Sequence, residues 1–376
     1  MKNEKRNFKL IEPVVGKEEL RAIQKVLESG WLTEGPLTRE FEERLGQFTG
    51  AKHAIAVTNC TIAIEIALRV LQIKPGDEVI VPDFTHPATA DAVSWIGADP
   101  VLVDVGLSSY NIDIDEVEKA ITKKTKCLIA VSWGGNPLDF RLLDKLKQEH
   151  GLYIVEDAAC SLGSEFAGKK TGTMADMTCF SFHPRKIITT GEGGMITTND
   201  DELAERIRLL KMFGMKSTGE EHAFVKIGSN YKLCDILGAI GVAQMNKIDR
   251  IIERRIELAG NYTRLFKDFG FIKPPKKDQN AKHVYQTYAT YIEIDGIRDR
   301  IIQDLKKEGI ETQIGTYALH LQKAFENVKT IGNLQTAEKL YNNLLTLPMC
   351  HSMSSEAQQL VVQEVIKSIE RHRREP

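Results

Sequence analysis

Two residues carry the strongest chemical signal in the chain. Asp157 follows Glu156 at the end of the apolar run in IVEDAACSLG, and Lys186 stands 29 residues later in CFSFHPRKIITTGEGGMITT (179–198). The second stretch passes from alternating apolar residues through the lysine into a glycine-rich turn, then back to β-branched residues. A single acid at a strand end is ordinarily a cap for the next element. An acid and a lysine at one sheet edge suit another chemistry. The amine forms a Schiff base with the aldehyde of pyridoxal 5′-phosphate (PLP). A buried carboxylate keeps the pyridine nitrogen protonated, so that the ring takes electrons from a substrate carbanion.

Such a cofactor needs a phosphate cradle. AVTNCTIAIEIALRVL (56–71) reads as a short strand reaching Thr58-Asn59-Cys60-Thr61, with an apolar-periodic helix starting at once. Free backbone N–H groups and the positive dipole end favour an anion there, and Thr61 adds a hydroxyl. A plain Thr/Asn N-cap accounts for the same residues. Ser181, on the strand entering the lysine hairpin, offers a second hydroxyl. GEGG (191–194) lacks GxGxxG spacing and leads into a strand, so it reads as a turn with a glycine at positive φ. His86, in PDFTHPATA just past a strand end, could stack a flat ring on the cofactor or serve structure only. No pair among the nine histidines shares ligand spacing with a cysteine or carboxylate, and no metal site is expected.

The elements that must position these groups are those of an α/β fold. DEVIVPDF (77–84), DPVLVDV (99–105), TKCLIAVSW (125–133) and GLYIVEDAA (151–159) read as buried strands, with helices at 86–96, 113–122 and 139–149 between them. This alternation implies right-handed crossovers and a doubly wound, mostly parallel sheet, with functional side chains just past the strands' C-terminal ends. After about residue 235, apolar residues at three- and four-residue steps predict a long helix to Phe266 with one break. A strand (285–294), a helix (298–308), a second strand (310–317) and a final helix from Ser355 follow. The last of these has SSEAQ as a capping box with Gln358 at its third position. The expectation is a large domain over residues 1–250 and a smaller C-terminal α+β domain over 251–376. About 15 N-terminal residues would pack on the smaller one.

Composition bounds the rest. At 376 residues the chain needs two or three cores, and 42% apolar with 27% charged residues is ordinary for a soluble globular protein. A net charge of −2 gives no electrostatic reason for nucleic acid as a partner. Six scattered cysteines, without a CxxC pair, read as reduced thiols. The opening MKNEKRNFKLIEP lacks the apolar run of a secretory signal, and no stretch is long enough to span a bilayer, so a cytoplasmic protein without membrane partners is expected.

Taken in order, these motifs resemble the DegT/StrS-type sugar aminotransferases, a fold-type I PLP family. The resemblance runs through GWLTEGPLTREFEERL, NCTIAIEIAL, VPDFTHPATADAV, GADPVLVDV, IVEDAACSLG, FSFHPRKIITTGEGGMI and NYKLCDILGAIGVAQM. It continues into GIETQIGTYALH and LPMCHSMSSEAQ. It implies Lys186 as the Schiff-base lysine, Asp157 at the pyridine nitrogen, His86 stacked on the ring, and Cys60, Thr61 and Ser181 around the phosphate. Asn230, in GSNYKL, resembles the asparagine that reaches the phosphate of the neighbouring subunit's cofactor, which implies a homodimer with shared active sites. Cys160 stands where the family often has glutamine or histidine touching the cofactor, and Cys60-Thr61 replaces a common Gly-Thr.

The reaction implied is ping-pong transfer from an amino acid donor, usually L-glutamate, to a nucleotide-linked keto sugar, with the cofactor alternating between PLP and its pyridoxamine form (PMP). A cationic, partly desolvated pocket is expected to lower the pKa of Lys186. Thr33, His183, Tyr317 and His320 are candidates for the sugar site. Two competing readings are a PLP/PMP-dependent sugar dehydratase, which resembles this family but has histidine for the lysine, and a non-catalytic PLP-binding regulator.

Overall fold

The computed structural model describes residues 7–218 and 221–374. Seven strands build most of the larger sheet: β1 (His53–Val57), β2 (Glu78–Pro82), β3 (Asp99–Val103), β4 (Thr125–Val131), β5 (Tyr153–Asp157), β6 (Met177–Ser181) and β7 (Gly194–Thr198). Their spatial order is β1-β7-β6-β5-β4-β2-β3, and the two-residue strand Lys329–Thr330 adds an eighth at the edge. β7 runs antiparallel to both neighbours, while β6, β5, β4, β2 and β3 pair in parallel. The strands of the parallel part are nearly continuous apolar runs because helices cover both faces. On one face, α1 (Cys60–Val70) and α2 (Ala88–Trp95) pack Ala63, Ile66 and Val93 against Val79, Ile129 and Val155. On the other, Phe140, Leu143 and Leu146 close over Ile80, Leu128 and Ile154. The α/β, mostly parallel architecture expected from the alternation is what forms.

The break expected in the long helix falls at Asn246–Lys247, which leaves two helices. α3 (Asp235–Met245) ends at Asn246, and α4 (Ile248–Phe266) begins after Lys247, whose ammonium is drawn 2.6 Å from the Glu19 carboxylate. α4 buries its first half (Ile248, Ile251, Ile252) beside Phe180 and Phe182 of the larger layer. Its second half (Leu258, Tyr262, Phe266) lies in a separate core with Ile301, Leu345 and Val365. That second core carries a four-stranded antiparallel sheet of Ile272–Lys273, Ala289–Ile292, Leu344–Thr346 and Gln313–Ile314. Leu344–Thr346 is too short to show a period in sequence. The expected strand at 310–317 divides: Gln313–Ile314 joins the small sheet, whereas Tyr317–Ala318 pairs with Phe84–Thr85 beside the large one. This crossing brings Tyr317 and His320 to the end of β2.

Near the N-terminus, Phe8 exchanges backbone hydrogen bonds with Gly309 and Glu311, and Leu10 accepts from the Met349 N–H. The last helix, α5 (Ser355–Arg373), is capped by Ser354, one residue earlier than expected, whose hydroxyl accepts from the Ala357 N–H. Gln358 is therefore not a capping partner. It is fully buried, donating to the Leu258 carbonyl at 2.8 Å and so tying α5 to α4. Among the described residues, no helix is long and apolar enough to cross a membrane.

Candidate active site

The parallel strands deliver their last residues to one edge, and most of the candidate residues meet there. Asp157 is the last residue of β5 and is buried. Its Oδ2 accepts from Thr89 Oγ1 at 2.8 Å, and its Oδ1 accepts from the Ala159 N–H at 3.1 Å. Thr89 sits in the first turn of α2, three residues after His86, and a second hydroxyl, Thr85 Oγ1, lies 3.0 Å behind it. Sequence reasoning missed Thr89. The signal available was a hydroxyl one helical turn beyond a strand-end histidine, at a position that must face back toward the sheet edge.

Lys186 lies in the 182–193 connection between β6 and β7. The Phe182 N–H donates to the Gly193 carbonyl, and a tight turn follows in which the Lys186 N–H donates to the His183 carbonyl at 2.9 Å. Phe182, Ile187 and Ile188 are buried in the core below, so the loop is pinned on both sides of the lysine. Gly191 has a φ of 91°, which bears out the turn reading of GEGG. The lysine Nζ lies 3.3 Å from Cys160 Sγ.

The phosphate candidates meet at the start of α1. Asn59 is the N-cap, its side chain accepting from the Ile62 N–H at 2.9 Å and its carbonyl from the Ala63 N–H. The Cys60 and Thr61 amides lie in the first turn, where no intrahelical carbonyl can take them. β7 runs hard against this turn: a Cβ on Gly194 would lie 2.4 Å from the Asn59 carbonyl carbon and oxygen and 2.8 Å from the Cys60 nitrogen. Ser181 pairs in register with Gly194, so its hydroxyl belongs to the same corner. Cys60 itself is buried, with its thiol 3.5 Å from the Cys179 carbonyl and 4.0 Å from Asp157 Oδ1. A helix start with free amides, flanking hydroxyls and a glycine that lets the backbones close fits a phosphate. The Lys186–Asp157 pair fits the aldehyde and ring of PLP.

Charge at the site departs from expectation in one respect. Burial works to depress the Lys186 pKa, but Cys160, Asp157 and Cys60 outweigh it, and the amine is held above the ordinary lysine range rather than below it. The chain sets one acid and two thiols near Lys186 where a cationic pocket was expected. His86 is shifted down, first by partial desolvation of its ring against the site and then by Lys186, although much of the residue's surface stays open to solvent. Burial pushes the Cys60 thiol well up, with Asp157 adding to it.

Beneath this edge lies Glu156, fully buried, accepting from Ser132 Oγ at 2.5 Å and from Thr178 Oγ1 at 3.3 Å. Burial raises its pKa to about 7 in spite of these bonds. A raised acid pKa means that the unfolded chain gives up the proton first. Stability contributed by this group is therefore present below pH 4.5 and lost as pH climbs to 7, by about 3 kcal/mol. Glu156→Gln should remove that loss. Denaturant titrations at pH 5 and pH 8 should show the variant gaining on the parent by about 2–3 kcal/mol across the interval; equal slopes would contradict the assignment.

The other candidates separate. His86 is exposed and faces Tyr317 edge-on, ring centroids 6.4 Å apart, because Tyr317 pairs with Thr85. His320 is held by Asp83, which is wholly buried and unremarked in the sequence reading: Asp83 Oδ1 accepts from the His320 N–H at 2.8 Å and Oδ2 lies 2.6 Å from ring Nδ1. Burial raises the Asp83 pKa, and the bonds to His320 work against that rise. His183 turns Nδ1 to the Arg185 N–H at 3.2 Å. Asn230 is exposed, one residue before Tyr231, whose carbonyl accepts from the Thr58 N–H at 3.1 Å. Thr33 is exposed and uses its carbonyl for the Asp235 N–H; among the described residues no hydrogen bond ties it to the Lys186 cluster. Among the described residues no three His, Cys, Asp or Glu side chains are grouped as metal ligands.

A strand-edge lysine and carboxylate beside a helix N-terminus define a PLP enzyme of the α/β class, and comparison with known proteins agrees. The chain belongs to the DegT/DnrJ/EryC1/StrS aminotransferase family, whose model matches residues 13–366, and it is a PLP-dependent sugar aminotransferase. It is 36% identical over 335 residues to the GDP-perosamine synthase of Caulobacter vibrioides, covering 88% of this chain and 90% of that one. Its fold superposes with a TM-score of 0.93 on the putative sugar aminotransferase Spr1654 from Streptococcus pneumoniae in its PMP form, at 29% identity, with 97% of this chain and 100% of that one covered. PseC of Helicobacter pylori, an aminotransferase involved in pseudoaminic acid biosynthesis, matches at 0.92 and 31% identity, with the same coverage.

Proposed function

We propose that the protein moves the amino group of L-glutamate to the carbonyl of a nucleotide-linked keto sugar in two half-reactions. The observation that carries this reading is the convergence of Lys186 with Asp157 beside the Asn59–Thr61 turn. When bound, the cofactor supplies a carbonyl that takes up amines and a ring that accepts electrons. Lys186 anchors it, then removes the proton from the donor's Cα and returns a proton in the second half-reaction. Asp157, braced by Thr89, holds the ring nitrogen's proton. The Cys60 and Thr61 amides with the Thr61 and Ser181 hydroxyls hold the phosphate, His86 covers the ring, and Cys160 borders the anchoring amine.

Tyr317 and His320 carry the sugar-facing role best. Strand pairing seats Tyr317 beside His86, and Asp83 commits His320 Nδ1, so that Nε2 is the ring nitrogen left for a ligand. His183, with its Nδ1 given to the loop, and Thr33 have no such tie. The nucleotide is inferred from likeness to the GDP-perosamine synthase. A homodimer with Asn230 directed at the neighbour's phosphate is part of the reading. It is supported by exposed Phe224, Val225 and Ile227 just before that residue, 70%, 51% and 96% accessible. The division near residue 250 is supported by α4, which lies half in each core.

Adding L-glutamate to the PLP-loaded protein should bleach its visible absorbance and release the 2-oxo acid. A GDP- or UDP-linked keto sugar should then restore the absorbance and appear as its amino sugar. No change with glutamate sinks the donor. Recovery with simple 2-oxo acids but with no nucleotide keto sugar sinks the acceptor.

A further inference from the structure

We propose that Cys160 and Lys186 are an oxidative modification site, joined by peroxide into a reversible sulfenamide crosslink when the lysine amine is free. The sulfur and nitrogen lie 3.3 Å apart. Both backbones are fixed around them. On one side, the Ser161 N–H bonds the Ala158 carbonyl, and the Cys160 carbonyl oxygen lies 3.0 Å from where a Cβ on Gly135 would sit. On the other, the Lys186 N–H is held in its turn. Bond formation therefore needs only rotation of the lysine's flexible stem.

Access singles out the same thiol. Cys60, Cys127, Cys179 and Cys350 are buried; only Cys160 and Cys234 are half-buried. Of these two, only Cys160 touches a lysine amine. A thiol beside a cation is the type that oxidises first.

The chemistry closes with hydrogen peroxide as oxidant. The Cys160 sulfur attacks one peroxide oxygen and the O–O bond breaks. The departing hydroxide takes a proton from the Cys160–Lys186 pair, leaving a sulfenic acid, a neutral amine and one water. The Lys186 lone pair then attacks sulfur, the S–O bond breaks, and the hydroxide leaves with a proton from nitrogen as a second water. Sulfur loses two electrons and peroxide gains them. Two equivalents of a thiol reverse the change, restoring Cys160 and the amine and giving a disulfide of the reductant. The consequence for activity rests on the reading of Lys186 given above. A crosslinked lysine cannot anchor PLP, and a lysine already anchoring PLP has no free amine to crosslink, so the cofactor and the oxidant compete for one nitrogen.

The test uses the full-length chain, PLP-loaded and stripped, treated with hydrogen peroxide and analysed by intact mass and peptide mapping. The stripped chain should lose two hydrogens and yield a joined peptide carrying positions 160 and 186, and dithiothreitol should reverse both. The loaded chain should be protected. In Lys186→Arg the crosslink cannot form, and a dimedone adduct on Cys160 should rise from trace to dominant. The proposal is overturned if Cys160 goes to sulfinic acid with Lys186 free. It is also overturned if Cys160 joins Cys60 instead, or if dimedone labelling is the same in both chains. Borohydride fixation of PLP on untreated protein reports on the anchoring role separately, so a failure of one claim is not mistaken for a failure of the other.

Discussion

Lys186→Ala should leave a folded protein that transaminates at least ~10³-fold more slowly than the parent and no longer holds PLP covalently. Two losses combine in this substitution. On the proposed mechanism the chain loses the amine that anchors the cofactor and the base that serves the donor's Cα. The hydrogen bonds that shape the loop are made by the backbone, Lys186 N–H to His183 O and Phe182 N–H to Gly193 O, so truncating the side chain spares them. Among the described residues the amine itself hydrogen-bonds only to Cys160, and its removal leaves no buried partner charge within bonding distance there. Thermal stability should therefore change little while turnover collapses. Borohydride reduction of the PLP-loaded parent should fix the cofactor on the peptide bearing position 186, and the variant should yield no adduct there. Residual turnover near the parental level would mean that another amine does this work.

The sheet and its chemical edge were legible because buried parallel strands leave continuous apolar runs, and their ends are marked by the first polar residues. Asp157 and the Thr58–Thr61 turn follow directly from that pattern. Lys186 needed the glycine turn as well, which marks the hairpin that presents it. What stayed hidden depends on long-range packing. Thr89 reaches Asp157 across 68 residues, and Asp83 reaches His320 across 237, distances over which a single sequence carries no periodic signal. The small sheet was half-read because its strands run two to four residues, shorter than the alternation that identifies a strand. The charge around Lys186 was misjudged for a related reason. The residues that raise its pKa, Cys160, Asp157 and Cys60, come from two stretches about 100 residues apart, 157–160 and the turn at 60, and their sum is a property of the assembled edge.

Asp157→Asn should produce the second large defect, and in a different form. The substitution keeps the size of the side chain and an oxygen that can accept from Thr89, whose hydroxyl lies 2.8 Å from Oδ2. It removes the negative charge. In a buried position, taking one partner from a charge-assisted pair costs about 3–5 kcal/mol, which corresponds to a rate loss of roughly 10²–10⁴-fold if the pair is at its strongest as the substrate ionises. Asp157 is 6% exposed, so water cannot stand in for the lost charge. The variant should still bind PLP through Lys186 and fix it with borohydride, because the anchoring amine and the Asn59–Thr61 turn are untouched. Its kcat should fall with KM for both substrates near the parental values. Thr89→Val, which leaves the carboxylate but removes the hydroxyl that aims it, should give a milder loss of about 1.5–3 kcal/mol, the worth of one hydrogen bond to a charged group. If Asp157→Asn instead lost PLP altogether while turning over normally whenever the cofactor was saturating, the carboxylate would be a binding group only, and the electron-accepting role assigned to this edge of the sheet would fall.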